Sequence, residues 1–461
     1  MGTMTTASYR DVLASAIKDA KFENWSRTFS CNPEYLFTPK DEHEVCQILE
    51  FSRQQKKNVR VVGCGHSPSD IACSSQVMIS LREYMKRIIK IDKEQCTVKA
   101  EAGITLKELN EVHLACHGLA ITSLGAISDI TLGGAISTGT HGSGEKYGTI
   151  SSQVVELELI TSCGKRLCCS QSENTETFLA AACGLGAMGV ITTVTLLVEP
   201  SYNLLERHYP CNLDEVLANL DAHLKSCDHF RCLWYPYTNG TVCFHLSRTT
   251  KEKTKTSFCQ RAYKWVVESA FGYYGMELLY YLSTWMPGCV PFLNGLFFRV
   301  IFAPCGERVD VSYRVFNYEC RFKQRVNEWA IPKASAALAI WKLREWIENT
   351  SGIYAHIPIE IRFARSDNLL MSPAYGRDTC YMNIIMYRPY GKDVPYKEYW
   401  AAYEEIMKEL GGRPHWAKAH KVTGKEFAVM YPGFKQWCQI RRQLDPLNMF
   451  VNSYLQRVLT R

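Results

Sequence analysis

Two loops dense in glycine constrain this 461-residue chain more than any other feature. The first, Gly63-Cys64-Gly65-His66-Ser67-Pro68-Ser69-Asp70, follows a β-branched stretch at 58–62. The second is Gly133-Gly134-Ala135-Ile136-Ser137-Thr138-Gly139-Thr140-His141-Gly142-Ser143-Gly144. Glycines beside strand ends let backbone N–H groups approach a pyrophosphate, because no Cβ intervenes and positive φ is accessible. One such loop is ordinarily a tight turn. Two with the same texture, each carrying a histidine, point to a dinucleotide cradle. The Rossmann fingerprint is not met, since Pro68 stands where its third glycine belongs and neither a P-loop lysine nor the later acidic residue is correctly placed.

Around these loops the patterning is mixed α+β. Thr38-Pro39 followed by Val45, Ile48 and Leu49 reads as a capped helix with Pro39 at its first position. A strand over 97–102 leads to a helix over 105–118, with Leu106, Leu109, Val112 and Cys116 expected inward. His113 and His117 lie one turn apart on that helix, and without a third ligand they read as a solvated face. Alternating strands are expected over 154–161 and 189–198, and Pro200 closes the segment. A domain boundary is placed near residue 202. Beyond it come a helix over 213–226, a strand over 229–235 and a helix over 333–349. The last segment, 424–461, reads as polar-faced helices docking back onto the first domain. The expected division is thus 1–202, 203–423 and 424–461.

Composition excludes several classes. Lysine plus arginine exceeds aspartate plus glutamate by 53 − 46 = 7 with no basic run, so nucleic acid is not an expected partner. The 20 cysteines include no C-x-x-C pair, so no metal site is expected. The N-terminal residues lack an uninterrupted apolar stretch, so a cleaved secretory signal is not expected and the cysteines are read as reduced. Sequons stand at Asn24, Asn239 and Asn349. Residues 265–303 are strongly apolar and 278–298 carry no charge, but Pro287, Gly288 and Pro291 interrupt the middle. Two short apolar helices fit better than one span. They suit either a membrane interface or a buried pair on a cap or dimer face.

Both glycine loops resemble those of the vanillyl-alcohol-oxidase-type FAD flavoproteins, and within them the sugar-lactone and alditol oxidases. The likeness extends over nearly the whole chain after about residue 22. Tyr318-Glu319-Cys320-Arg321-Phe322-Lys323-Gln324, the stretch from Asp378 to Pro395 and Gly412-Arg413-Pro414-His415-Trp416-Ala417-Lys418-Ala419-His420 are similar to the animal L-gulono-1,4-lactone oxidases. The resemblance implies a two-subdomain FAD-binding domain plus an α+β substrate cap. It implies FAD covalently attached at His66, which would fix the flavin ring and raise its potential. The remaining cradle would comprise Val62, Gly63, Cys64, Gly65, Ser67, Gly125, Asp129, Gly133, Gly134, Thr138, Gly139, His141, Gly142, Gly189, Val190 and Ile191. Cys64 replaces a residue that is more often glycine in the animal enzymes.

Strand periodicity places Glu360 and Arg362 on one face, with Ile359, Ile361 and Phe363 on the other. Alone, that alternation reads as an ordinary solvent-facing strand. With the resemblance, Arg362 would stabilise the oxyanion formed as hydride passes to flavin N5, and Glu360 would orient it and bind sugar hydroxyls. Lys418, three residues after His415, would assist deprotonation or hold the charge of reduced flavin. Asn383 is a weaker candidate for a substrate hydroxyl. The expected reaction is oxidation of L-gulono-1,4-lactone at the carbon 2 hydroxyl by oxygen, giving hydrogen peroxide and ascorbate at an endoplasmic reticulum membrane. Thr140-His141-Gly142-Ser143-Gly144 looks more like fungal and bacterial relatives. That leaves galactono- and arabinono-1,4-lactone oxidases or dehydrogenases open, besides a non-catalytic, membrane-associated flavin-fold interaction protein.

Overall fold

A computed structural model of the chain describes residues 6–255, 257–318 and 322–460. Glu319, Cys320 and Arg321 of the tyrosine-containing motif lie outside them. Three sheets organise the molecule. Tyr35–Phe37, Val77–Ser80 and Val59–Val62 form a small parallel sheet. Arg166–Ser170, Val154–Ile160, Val190–Leu197, Thr97–Glu101 and Ile88–Asp92 form a five-stranded antiparallel sheet, in that spatial order.

The third sheet has eight antiparallel strands. Its order is Gly306–Val311, Asn203–Asn212, Gly240–Thr249, His229–Trp234, Ile359–Ala364, Thr379–Tyr387, Gln324–Pro332, Arg413–Pro414. The central strands Ile359–Ala364 and Thr379–Tyr387 are almost wholly buried. Ile359–Ala364 keeps its apolar–polar alternation although both faces are covered, so its polar residues are buried with the rest. Lys397–Glu409 buries Tyr399, Trp400, Tyr403 and Met407, and Tyr403 donates its hydroxyl to Met382 O at 2.5 Å, binding this helix to the sheet. The other face of the sheet meets the glycine loops. There Gly144 N–H donates to Phe363 O at 2.7 Å and Phe363 N–H to Ser143 Oγ at 3.3 Å.

The first long helix is Glu42–Gln54, three residues later than Pro39 implied. Asp41 is its cap: Glu44 N–H donates to Asp41 Oδ1 at 2.9 Å, and Lys40 N–H donates to Glu44 Oε2 at 2.8 Å. Such a reciprocal cap outweighs proline's preference for the first turn. The helix expected over 105–118 is a π-helix over Glu108–Leu114. Its wider turn rotates the buried set to Leu109, Asn110 and Leu114, leaving Val112 and Cys116 exposed rather than inward. The helix expected over 213–226 breaks at Asn219 into Leu213–Ala218 and Leu220–Lys225.

The closing helices Gly424–Met430, Phe434–Leu444 and Ser453–Leu459 lie against the first 190 residues. Val59 N–H donates to Met449 O at 2.7 Å, Trp437 Nε1 to Ala180 O at 3.2 Å, and Asn452 Nδ2 to Ile71 O at 3.0 Å. The apolar tract folds as two helical arms. Phe258–Trp265, Val266–Gly275 and Met276–Ser283 make one; Val290–Phe297 and Phe298–Phe302 make the other. They turn through Pro287–Cys289. Among the described residues no helix is long and apolar enough to cross a membrane.

Candidate active site

A cavity of about 770 Å³ lies between the glycine loops and one face of the large sheet. Of the expected cradle, Val62, Gly63, Cys64, Gly65, His66, Ser67, Gly125, Gly133, Gly134, Thr138, His141, Gly189 and Ile191 line it. Two observations test the fit to a dinucleotide. A Cβ on Gly63 would stand 2.2 Å from Thr131 Oγ1, so the backbone there approaches its neighbour as only glycine can. Gly65 adopts φ +70°, whereas Cys64 is not among the residues with positive φ, which explains why the loop tolerates a side chain there. His66 Nδ1 is buried and has no hydrogen-bond partner. Burial, the largest influence, lowers the His66 pKa and keeps the ring neutral at physiological pH.

Four expected cradle residues do not line the cavity. Asp129 turns its side chain to solvent, 3.8 Å from Lys107 Nζ. Val190 alternates into the core between Gly189 and Ile191, which face the cavity. Gly139, at φ +68°, packs against Pro373 and Cys183, and Gly142 packs against Ser123 and Leu124. These two glycines shape the second loop from behind.

The catalytic candidates converge through strand register. Glu360 pairs with Asn383, and Asn383 with Glu328 on the next strand; Arg362 pairs with Tyr381 and with Arg231. Side chains directly opposite in antiparallel strands share a face, so two rows of polar groups cross the cavity wall. His415 joins the first row, its N–H donating to Glu328 O at 2.9 Å.

Glu360 and Arg362 are 7% and 9% exposed, so the solvent-facing alternative fails. Arg362 Nη2 donates to Glu360 Oε2 at 2.5 Å and to Tyr318 Oη at 2.6 Å, while the Tyr318 hydroxyl donates to Glu360 Oε1 at 2.7 Å. Arg231 Nη1 reaches Glu360 Oε1 at 3.4 Å and its guanidinium lies over the Tyr318 ring. Burial opposes ionisation of Glu360, but Arg362 and Arg231 outweigh it and hold the carboxyl below its ordinary value. Burial likewise opposes the Arg362 charge, and Glu360 more than offsets it. Arg362 Nε and Asn383 Oδ1 remain buried without partners and line the cavity, as groups awaiting a polar ligand do.

Lys418 Nζ lies 3.5 Å from Glu328 Oε2, and His141 Nε2 lies 3.1 Å from Glu328 Oε1. Burial disfavours the Glu328 carboxylate, yet Lys418 and His141 draw its pKa well below the usual range. His415 accepts Ala417 N–H at Nδ1 (3.1 Å), which leaves Nε2 as the donor. Burial pushes its pKa down to about 3. The ligand atoms of His141, Glu328 and His415 come within 4.8 Å of one another, but Lys418 already supplies the carboxylate with a cation. Glu328, Tyr318 and Arg231 were not singled out from sequence. The signal for Glu328 is a lone acid at an apolar-register position of the strand Gln324–Pro332.

The D-arabinono-1,4-lactone oxidase family profile matches residues 194–458, and an FAD binding domain profile matches residues 33–170. The L-gulonolactone oxidase of Bos taurus is 48% identical over 96% of this chain and 98% of its own length; that of Mus musculus is 47% identical with the same coverage. A crystal structure of cholesterol oxidase from B. sterolicum superposes with a TM-score of 0.80 at 16% identity, over 96% of this chain and 97% of that one, a likeness of fold alone. Together with a cavity whose glycine backbone fits a dinucleotide and whose far wall carries the Glu360–Arg362 pair, these matches place the chain in the FAD-dependent aldonolactone oxidase family.

Proposed function

We propose that this chain oxidises L-gulono-1,4-lactone at the carbon 2 hydroxyl, reduces oxygen to hydrogen peroxide and yields L-ascorbate after tautomerisation. The reading is carried by the buried Glu360–Arg362 pair, bridged by the Tyr318 hydroxyl, with Arg362 Nε and Asn383 Oδ1 unpartnered in the cavity that His66 also lines. Bound FAD would supply the two-electron acceptor. The chain supplies the rest. Arg362 presents a fixed cation that favours the oxyanion as the hydroxyl proton leaves. Glu360, ionised, fixes the guanidinium and offers acceptor lone pairs to sugar hydroxyls. Asn383 adds a further acceptor. Lys418, tethered to Glu328, would assist loss of the hydroxyl proton or hold the negative charge of reduced flavin. His415 offers Nε2–H from a ring that burial keeps neutral.

His66 is the residue we assign to covalent FAD attachment. A buried, neutral imidazole with an unpartnered Nδ1 supports this, since an unprotonated ring nitrogen is the form able to bond carbon. The apolar tract supports attachment to the endoplasmic reticulum membrane. It exposes Trp265, Phe271, Tyr274, Leu278, Trp285 and Phe292, aromatic-rich surface suited to an interface.

One experiment tests the function: anaerobic flavin absorbance on addition of L-gulono-, L-galactono- and D-arabinono-1,4-lactone. Bleaching by the gulono compound, with peroxide formed on readmitting oxygen, is expected. Bleaching only by another lactone would overturn the substrate. Reoxidation by cytochrome but not by oxygen would overturn the oxidase reading. A relative from Mycobacterium tuberculosis, 31% identical over 95% of this chain, carries the name L-gulono-1,4-lactone dehydrogenase.

A further inference from the structure

The histidine loop is held from outside by a short hairpin, Phe22–Glu23 paired with Ser30–Cys31. Trp25 N–H donates to Gly65 O at 2.9 Å, Asn24 Nδ2 donates to Ser67 O at 3.0 Å, and the Trp25 ring stacks on His66 with centroids 5.8 Å apart. Asn24 is itself buried, and its Oδ1 accepts Thr28 N–H at 2.9 Å, so the hairpin is internally rigid where it grips the loop. At its far end the hairpin places Cys31 in hydrogen-bonding contact with the thiol of Cys73, in the continuation of the same loop. Ser74 N–H donates to Cys31 Sγ at 3.3 Å, and Asn452 Nδ2 holds Cys73 O at 2.9 Å. Both cysteines are half-buried, which leaves them reachable by a small oxidant.

We propose that Cys31 and Cys73 are a peroxide-oxidisable dithiol whose disulfide latches this hairpin onto the histidine loop. The chemistry balances: two thiols and one hydrogen peroxide give one disulfide and two waters. The Cys31 thiolate sulfur attacks a peroxide oxygen, the O–O bond breaks, and the leaving hydroxide takes up a proton as water. The Cys73 sulfur then attacks the resulting sulfenic sulfur, loses its own proton and expels the second water. The two thiols differ in readiness. Contact with Cys73, reinforced by Ser74 N–H, draws the Cys31 pKa down to about 7 against the opposing effect of burial. Cys183 and Cys380, buried in the core, are pushed upward by the same burial and have no such donor. Where the peroxide comes from the chain's own turnover, the inference rests on the oxidase reading; added peroxide tests the pair independently of it.

The test uses the full-length flavoprotein, reduced, freed of reductant and treated with stoichiometric hydrogen peroxide, then alkylated, digested and weighed. A peptide linking Cys31 to Cys73, lighter by two hydrogens, is expected, with Cys183 and Cys380 still alkylated. In Cys73→Ser, Cys31 should instead stop one oxygen heavier as sulfenic acid, trapped by dimedone. The thermal transition followed by flavin fluorescence should rise on oxidation, return on reduction and stay unmoved in Cys31→Ser. Alkylation of both thiols after peroxide, or linkage of Cys31 to another cysteine, overturns the pair. A linked peptide with no shift in the transition overturns the latch.

Discussion

Replacing Arg362 by methionine separates what the buried pair does for the fold from what it does for the reaction. The side chain keeps most of its apolar length while Glu360 loses the donor at 2.5 Å and Tyr318 loses the one at 2.6 Å. Breaking a buried ion pair by removing one partner costs roughly 3–5 kcal/mol. Here Glu360 retains Arg231 at 3.4 Å and the Tyr318 hydroxyl at 2.7 Å, so the lower end, about 3 kcal/mol, applies. For a substrate-binding unit of this size that lowers the melting transition by roughly 6–12 °C. Loss of the cation from a water-poor site should reduce kcat by about 10²–10³-fold. The decisive variant is the double change Glu360→Gln with Arg362→Met. Neutralising both partners removes the orphaned carboxylate, so the melting transition should recover most of its loss while turnover stays low. Melting is read from tryptophan fluorescence and turnover from peroxide release with saturating lactone. Recovery of turnover along with stability in the double variant would refute the assignment, because the pair would then be only a structural strut.

Lys418→Met should retain bound flavin and lose most turnover, measured by absorbance against peroxide release; turnover equal to the parent removes Lys418 from the chemistry. His66→Ala should bind FAD without a covalent link, so acid precipitation leaves a colourless pellet where the parent pellet stays yellow. Burial pushes His356, His415 and His420 down to about 3 and His229 down to about 4. Each takes up a proton in the unfolded chain below its unfolded value of about 6.5 but not in the folded one until its depressed folded value. The unfolded state therefore binds more protons in that window, and stability drops as the pH is lowered through it, by up to about 1.4 kcal/mol per unit for each histidine. His356→Gln, which keeps an acceptor for the Tyr387 N–H now bound at 3.0 Å, should flatten the dependence of the urea midpoint between about pH 6.5 and 4. Replacing Trp285 and Phe292 together by serine should shift the protein from sedimenting with microsomes to the supernatant without changing kcat; unchanged sedimentation would sink the membrane reading.

Local chemistry made the cradle legible in the sequence. Gly65 adopts φ +70°, where backbone sterics alone favour glycine, so the first loop announces itself without any knowledge of the fold. Period-two alternation likewise assigned Glu360 and Arg362 to one face, because strand geometry is set by neighbouring residues alone. Alternation could not say whether that face met water or a cavity. Only the eight-stranded sheet decided it, by covering Ile359–Ala364 on both sides.

Glu328 shows the same limit from the other direction. Its partners Lys418 and His141 lie 90 and 187 residues away, and strand register with Asn383 plus the His415 backbone bond brings them together. Spacing along a chain carries no record of such pairs. Asp129 and Val190 lie off the cavity lining for an equally tertiary reason: one side chain faces solvent beside Lys107, and the other alternates into the core. What the residues determined by themselves was wherever backbone sterics or short-range periodicity leave a single choice: the glycine cradle, the polar face of a strand, the interrupted apolar tract. What the tertiary structure decided was which polar groups lose water together. Desolvation depends on everything packed around a group, and it turns ordinary glutamates, arginines and histidines into a site with fixed charge.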